Sequence, residues 1–193
     1  MEYVILVDKN DREIGTMEKL AAHREAVLHR AFSIFILRRC PRGTELLLQR
    51  RQWDKYHCGG LWTNSCCSHP RPGETVLAAA DRRLFEELGF RTRLREIGSF
   101  IYRAPLDRQL VEHELDHVLV GTYNGRAIVP NPEEVAEYRW VEIESLWKEL
   151  SMRKNDFTPW FAKAFALVMN AAKPDLTGCG SGAELCLDGH EVG

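Results

Sequence analysis

Short apolar runs separated by polar clusters open the chain. Residues 3–7 (Tyr-Val-Ile-Leu-Val) read as a strand, Asp8-Lys9-Asn10-Asp11 as a turn, and the segment near Ile14 as the returning half of a hairpin. Residues 17–23 suit one short helical piece. Arg30-Ala-Phe-Ser-Ile-Phe-Ile-Leu predicts a strand, Pro41-Arg42-Gly43 a turn, and residues 45–50 the antiparallel partner. Another strand is expected near 61–66. From Glu74 to Leu88 the period becomes helical, with Leu77, Ala80, Leu84 and Leu88 as its apolar stripe and Gly89 as a natural stop. Arg83 and Glu87, four apart, share a different, polar face. Strands follow at about 93–103, 111–122 and 135–141, then a short helix near 143–150. Thr158-Pro159 predicts the start of the last helix, which carries Trp160, Phe161, Phe165 and Val168.

This alternation of strands and helices predicts an α/β domain, a mixed sheet with helices on its faces. No repeat or linker divides the 193 residues, so one domain over 1–174 is expected, followed by a Gly-rich, poorly ordered tail at 175–193. Net charge −2 and a pI near 6.4 make no case for nucleic acid or an anionic membrane. No apolar run reaches membrane-spanning length and Met1-Glu2-Tyr3 begins no signal peptide, so a cytoplasmic protein is expected. The six cysteines form no CxxC pair, which fits thiols in a reducing compartment.

The chemistry concentrates in Trp62-Thr-Asn-Ser-Cys-Cys-Ser-His-Pro70. Cys67 and His69 are two apart, and on a strand that spacing puts both on one face. A thiol beside an imidazole can be a nucleophile, an acid or a metal ligand, and spacing alone leaves these open. A second informative stretch is Val111-Glu-His-Glu-Leu-Asp-His117, where Glu112, Glu114 and Asp116 would point the same way. Such a row is either a wet, screened face or a carboxylate site with something positive among its members. His23 and His29, six apart, fall on different faces of one regular helix, so a turn between them is needed for convergence. With His69 and the two glutamates they make an N3O2 set, which suits zinc, manganese or iron better than calcium.

The helix fits much of the Nudix box, G-x5-E-x7-R-E-U-x-E-E-x-G-U: Glu74, Arg82, Leu84, Glu86, Glu87, Gly89 and Phe90 fall in register. Ser68 replaces the opening glycine and Arg83 the second glutamate. A cation in place of a carboxylate removes metal-binding capacity and adds a phosphate contact, so hydrolysis looks compromised.

With both motif regions in view, the sequence resembles the type 1 isopentenyl-diphosphate Δ-isomerases. The matching segments are residues 18–23, His29 to Ser33, Trp62 to Pro70, Arg82 to Gly89, Tyr102-Arg-Ala104, Glu112-x-Glu114 and Pro159-Trp160. The resemblance implies a Nudix-like mixed β-sheet sandwiched between α-helices, and interconversion of isopentenyl and dimethylallyl diphosphate, in isoprenoid biosynthesis. It also implies roles: Cys67 and Glu114 as the two acid–base groups with Tyr102 beside Glu114, and His23, His29, His69, Glu112 and Glu114 around one divalent ion, Mn2+ or Zn2+. Glu87 would help hold Mg2+ on the diphosphate, Lys19, Arg51, Lys55 and Arg83 would contact that group, and the face of Trp160 would stabilise a carbocation. The implied partner is a small-molecule diphosphate, with neither nucleic acid nor membrane; an oligomeric partner is not legible. The competing readings are a Nudix diphosphate hydrolase and a non-catalytic Nudix-like binding module.

Overall fold

The computed structural model describes residues 2–41 and 43–176. Strands β1 (Tyr3–Val7) and β2 (Glu13–Glu18) form the expected hairpin. Its turn is held by Asp8 Oδ1, which accepts from the amides of Asn10 (2.8 Å) and Arg12 (3.0 Å). The first helix, α1, spans Lys19–Glu25 and not 17–23, because Met17 and Glu18 are still paired to Val4 and Tyr3 in the hairpin. Glu18 then caps α1, its carboxylate accepting from the amides of Leu20 and Ala21.

Strand β3 (His29–Cys40) is the spine of a single nine-stranded sheet. The others are β4 (Gly43–Arg51), β5 (Trp62–Thr63), β6 (Cys66–Ser68), β7 (Leu94–Pro105), β8 (Val111–Thr122) and β9 (Val135–Glu142). Among the described strand pairs only β3–β8 is parallel, from His29↔Glu114 to Leu37↔Thr122. Apolar side chains on both faces of β3 mean that both are covered. Phe32, Ile34 and Ile36 pack under α2 (Val76–Leu88), whereas Phe35 joins Leu46, Leu48 and Val118 under α3 (Ile143–Met152) and α4 (Phe161–Leu176). The α/β sandwich expected from the sequence is therefore observed.

Three further details differ. Leu77 is 47% exposed, because α2 docks through Val76, Ala79, Ala80, Leu84 and Leu88, where the two alanines let the helix lie close to the sheet. Emptying one of the two fully buried leucines, as in Leu84→Ala, removes about 2–5 kcal/mol. Helix α4 begins at Phe161, not at Thr158-Pro159: the Thr158 hydroxyl is 2.9 Å from that of Thr63, so it ties down the preceding turn instead of capping a helix. At the far end α4 runs through 175 to Leu176, and the remainder of the expected tail, 177–193, lies outside the described residues.

One departure from regular pairing positions the site. β3 pairs β4 only over Leu37–Cys40; nearer its start β3 takes β6 instead, while β4 takes β5. The two strands diverge there and open a cleft. Ser65 staples the fork, its hydroxyl donating to Leu47 O (2.7 Å) and accepting from Ile36 N (2.8 Å).

Candidate functional site

At the open end of the fork, one ligand atom from each of His23, His29, His69 and Glu114 lies within 4.8 Å of the others, and all four residues are buried. His23 lies late in α1 and His29 starts β3. The turn needed between them is made at Ala26, which is left-handed (φ 54°), and the two rings come to 4.8 Å. Parallel pairing then sets His29 opposite Glu114, and β6 delivers His69, whose Nε2 is 2.8 Å from Glu114 Oε1. Glu112, the fifth expected ligand, adjoins this group through His23 (Oε2 to Nε2, 3.2 Å).

The hydrogen bonding fits a divalent ion. His23 Nδ1 donates to Lys19 O (2.7 Å) and His29 Nδ1 to Val27 O (2.8 Å), since a carbonyl only accepts. That turns both Nε2 atoms toward the carboxylates as lone pairs, buried and without a hydrogen-bond partner among the described residues. Backbone-oriented imidazoles of this kind are characteristic of metal-binding histidines. Donors on neighbouring positions of one ion lie about 3 Å apart, close to the 2.8 to 3.6 Å separations here. Burial lowers His23 below its ordinary value and His69 to about 3, keeping both neutral as a ligand must be. Burial and the Glu114 carboxylate push Glu112 well up; burial also opposes the charge on Glu114, but His29 and His69 outweigh it and hold Glu114 well below the usual range. Two buried carboxylates side by side call for a cation.

Cys67 lines the same cleft as Glu114. It faces the α4 side opposite Ser33, whereas Cys66 points into the core under α2. Burial pushes the Cys67 thiol up to about 12 although Arg51 pulls the other way, with Arg51 Nη1 3.6 Å from its sulfur. At neutral pH Cys67 keeps its proton. Tyr102, on β7, donates to Glu114 Oε2 at 2.6 Å, and burial holds that phenol well above its ordinary value. Tyr102, Trp160 and Cys58 form a small apolar cluster with Leu61, Phe100, Ala104 and Leu106, against which Cys67 packs.

Lys19, Arg51, Lys55, Arg83 and Glu87 also line the cleft. Lys19 pairs with Glu2 (3.0 Å) and lies over the Tyr56 ring. Arg83, at the lost glutamate position, bonds Glu87 (2.5 Å), Glu86 (2.9 Å) and Glu134 (3.2 Å). Glu87 is buried and also accepts from Gln49 Nε2 (3.0 Å). The first Nudix-box glutamate, Glu74, is committed to a two-pronged bond with Arg82, both at 2.8 Å.

Glu134 and His57 had no signature in the sequence, and Asn64 stood in the Trp62–Pro70 stretch without a role. Glu134 pairs with both Lys55 and Arg83 at the cleft mouth. Asn64 accepts from Trp160 Nε1 (3.3 Å) and, with the Thr63–Thr158 contact and Thr158 N bonded to Trp62 O, docks the turn that presents Trp160. His57 lies 3.3 Å from Glu112 and forms a second possible ligand group with it and His23. Its loop is fixed by close packing: a Cβ at Gly60, already at φ +76°, would meet the Trp53 ring at 2.2 Å.

Residues 27–161 match the family model described as NUDIX domain. An isopentenyl-diphosphate Delta-isomerase of Photobacterium profundum is 49% identical over 171 residues, covering 88% of this chain and 95% of that protein. One of Serratia proteamaculans is 48% identical, covering 83% and 87%. Isopentenyl-diphosphate Delta-isomerase 2 of Aromatoleum aromaticum is 42% identical, covering 95% and 94%. Among solved structures, a MutT protein from Methanosarcina mazei superimposes with TM-score 0.58 at 23% identity, over 75% of this chain and 96% of that one, a likeness of fold alone.

Proposed function

Since this chain belongs to the isopentenyl-diphosphate Delta-isomerase family of NUDIX-fold proteins, we propose that it interconverts isopentenyl and dimethylallyl diphosphate in isoprenoid biosynthesis, with Cys67 and Glu114 as the proton-transfer pair. The observation that carries this assignment is that Cys67 and Glu114 line one cleft, in surroundings that push the thiol up and hold the carboxylate down. Adding a proton to the terminal carbon of the C=C bond leaves a tertiary cation. Removing a proton from the carbon on its other side turns that C–H electron pair into the new double bond. One acid and one base are the minimum equipment.

The apolar cluster of Tyr102, Trp160 and Cys58 suits the hydrocarbon end, where water would trap the cation. The Trp160 ring face can stabilise it by about 1–2 kcal/mol when desolvated. Tyr102 holds Glu114 by its free oxygen. Arg51, Lys55, Arg83 and Lys19 anchor the diphosphate, and that binding positions the five-carbon chain.

We place Mn2+ or Zn2+ at the His23, His29, His69, Glu112 and Glu114 cluster and Mg2+ beside Glu87. When bound, these ions supply positive charge that steadies the Glu114 carboxylate and the diphosphate, respectively. Arg83 in place of the second Nudix-box glutamate argues against the hydrolase reading, because a carboxylate that a hydrolytic metal site would use is replaced by a cation. Among the described residues no helix is long and apolar enough to cross a membrane, and Cys40, Cys58, Cys66 and Cys67 are free thiols, which suits action in a reducing cytoplasm.

Incubation with isopentenyl diphosphate and Mg2+ in D2O tests the reading. Dimethylallyl diphosphate carrying deuterium is the expected product; phosphate release, or no conversion, would overturn it.

A further inference from the structure

His57 stands against the metal-ligand cluster, outside the five-residue set implied by the family resemblance. It lies in the loop between β4 and β5 and is 5% exposed. Its ring stacks on His23 (centroids 5.6 Å apart, planes 28°) and meets Trp160 edge-on (6.2 Å). The Glu112 carboxylate sits between two imidazoles: Oε2 is 3.2 Å from His23 Nε2, and Oε1 is 3.3 Å from His57 Nε2.

We propose that His57 is a positioning residue of the metal centre, holding the outer oxygen of Glu112 through its Nε2–H so that the inner oxygen faces the ion shared with His23. This rests on the metal reading above. Three observations support it. His57 groups with Glu112 and His23 and not with the set of His29, His69 and Glu114, so it adjoins the cluster on its Glu112 side. Its Nδ1 is buried without a partner, so in the neutral ring the single hydrogen belongs on Nε2, toward Glu112. The loop is also tied to β4: Arg51 Nη2 donates to His57 O (3.4 Å) and Gly60 N to Arg51 O (3.1 Å), so the imidazole is presented from backbone bonded to that strand. Carboxylates that bind metals are ordinarily held by such outer bonds, and losing one weakens metal affinity about 10- to 100-fold.

The test uses the full-length chain stripped of metal and titrated with Mn2+. Free Mn2+ is read by electron paramagnetic resonance, and directly bound nitrogens are counted by pulsed measurements. The expected result is three histidine nitrogens in the wild type, a Kd about 10- to 100-fold higher in His57→Leu, and a Kd within about threefold of wild type in His57→Gln, which keeps an N–H near the Nε2 position. Unchanged affinity in His57→Leu would overturn the proposal, as would equal loss in both variants. Four bound nitrogens in the wild type would also overturn it, making His57 a ligand, and that count needs no variant to fold. A wild type that binds no Mn2+ would overturn the metal reading itself.

Discussion

Tyr102 and Glu114 face each other across the β7–β8 register, and the phenol donates to the carboxylate at 2.6 Å. Because Oε1 of Glu114 is turned toward His29 and His69, Tyr102 is what holds Oε2. Tyr102→Phe removes a bond to a charged acceptor, worth about 1.5–3 kcal/mol. Steady-state kinetics should show kcat reduced about 10- to 100-fold and KM little changed, since the phenol touches Glu114 and not the basic residues. A change confined to KM would contradict this role.

Cys66 and Cys67 are neighbours with opposite surroundings, one in the core under α2 and one on the cleft. Cys66→Ala should leave kcat within about twofold while costing about 1 kcal/mol in denaturant unfolding. A large loss of activity would mean that the wrong thiol has been assigned.

Burial lowers His69 to about 3 and His57 to about 2 from the ordinary 6.5. Over that interval the unfolded chain binds more protons than the folded one. The stability these residues contribute is therefore complete above pH 6.5 and lost as pH falls toward the folded values. Urea unfolding of chelator-treated protein between about pH 7.5 and 5.5 should show stability falling on the acid side, by roughly 1–1.5 kcal/mol in total over that interval for each histidine. A flat profile would mean that these imidazoles are not held neutral by the fold.

Gly60→Ala puts a Cβ into the Trp53 ring at a left-handed φ. The loop it moves carries Lys55, Tyr56 and His57, so the variant should lose about 1–3 kcal/mol of stability and bind both Mn2+ and the diphosphate substrate less tightly. Calorimetry of the two bindings checks this; unchanged binding would show that the loop does not position the site.

The elements were legible from period, and the candidate residues from spacing, but their roles came only from the family resemblance. Strand β3 announces itself by an apolar run, Cys67 and His69 by a spacing of two, and Glu112 and Glu114 by the same rule on β8. What escaped depends on contacts distant in sequence. Leu77 fits a helical stripe, but the docking angle allowed by Ala79 and Ala80 leaves it in solvent. Thr158 looks like a cap until Thr63 claims its hydroxyl. Glu134 and His57 lie in loops whose paths no periodicity encodes, and each acquires meaning only from a partner far along the chain: Arg83 for one, Glu112 for the other. The pairing of β3 with β6 and not β4 at the cleft is likewise a property of the folded sheet.

The most direct measurement is single-turnover conversion of isopentenyl diphosphate in D2O by Cys67→Ala and by Glu114→Gln, followed by NMR, with folding checked by circular dichroism. Each variant should fall at least about 100-fold below wild type, with neither product nor deuterated substrate accumulating, while the fold is retained. Either folded variant converting substrate near the wild-type rate would contradict the assignment of the two proton-transfer groups.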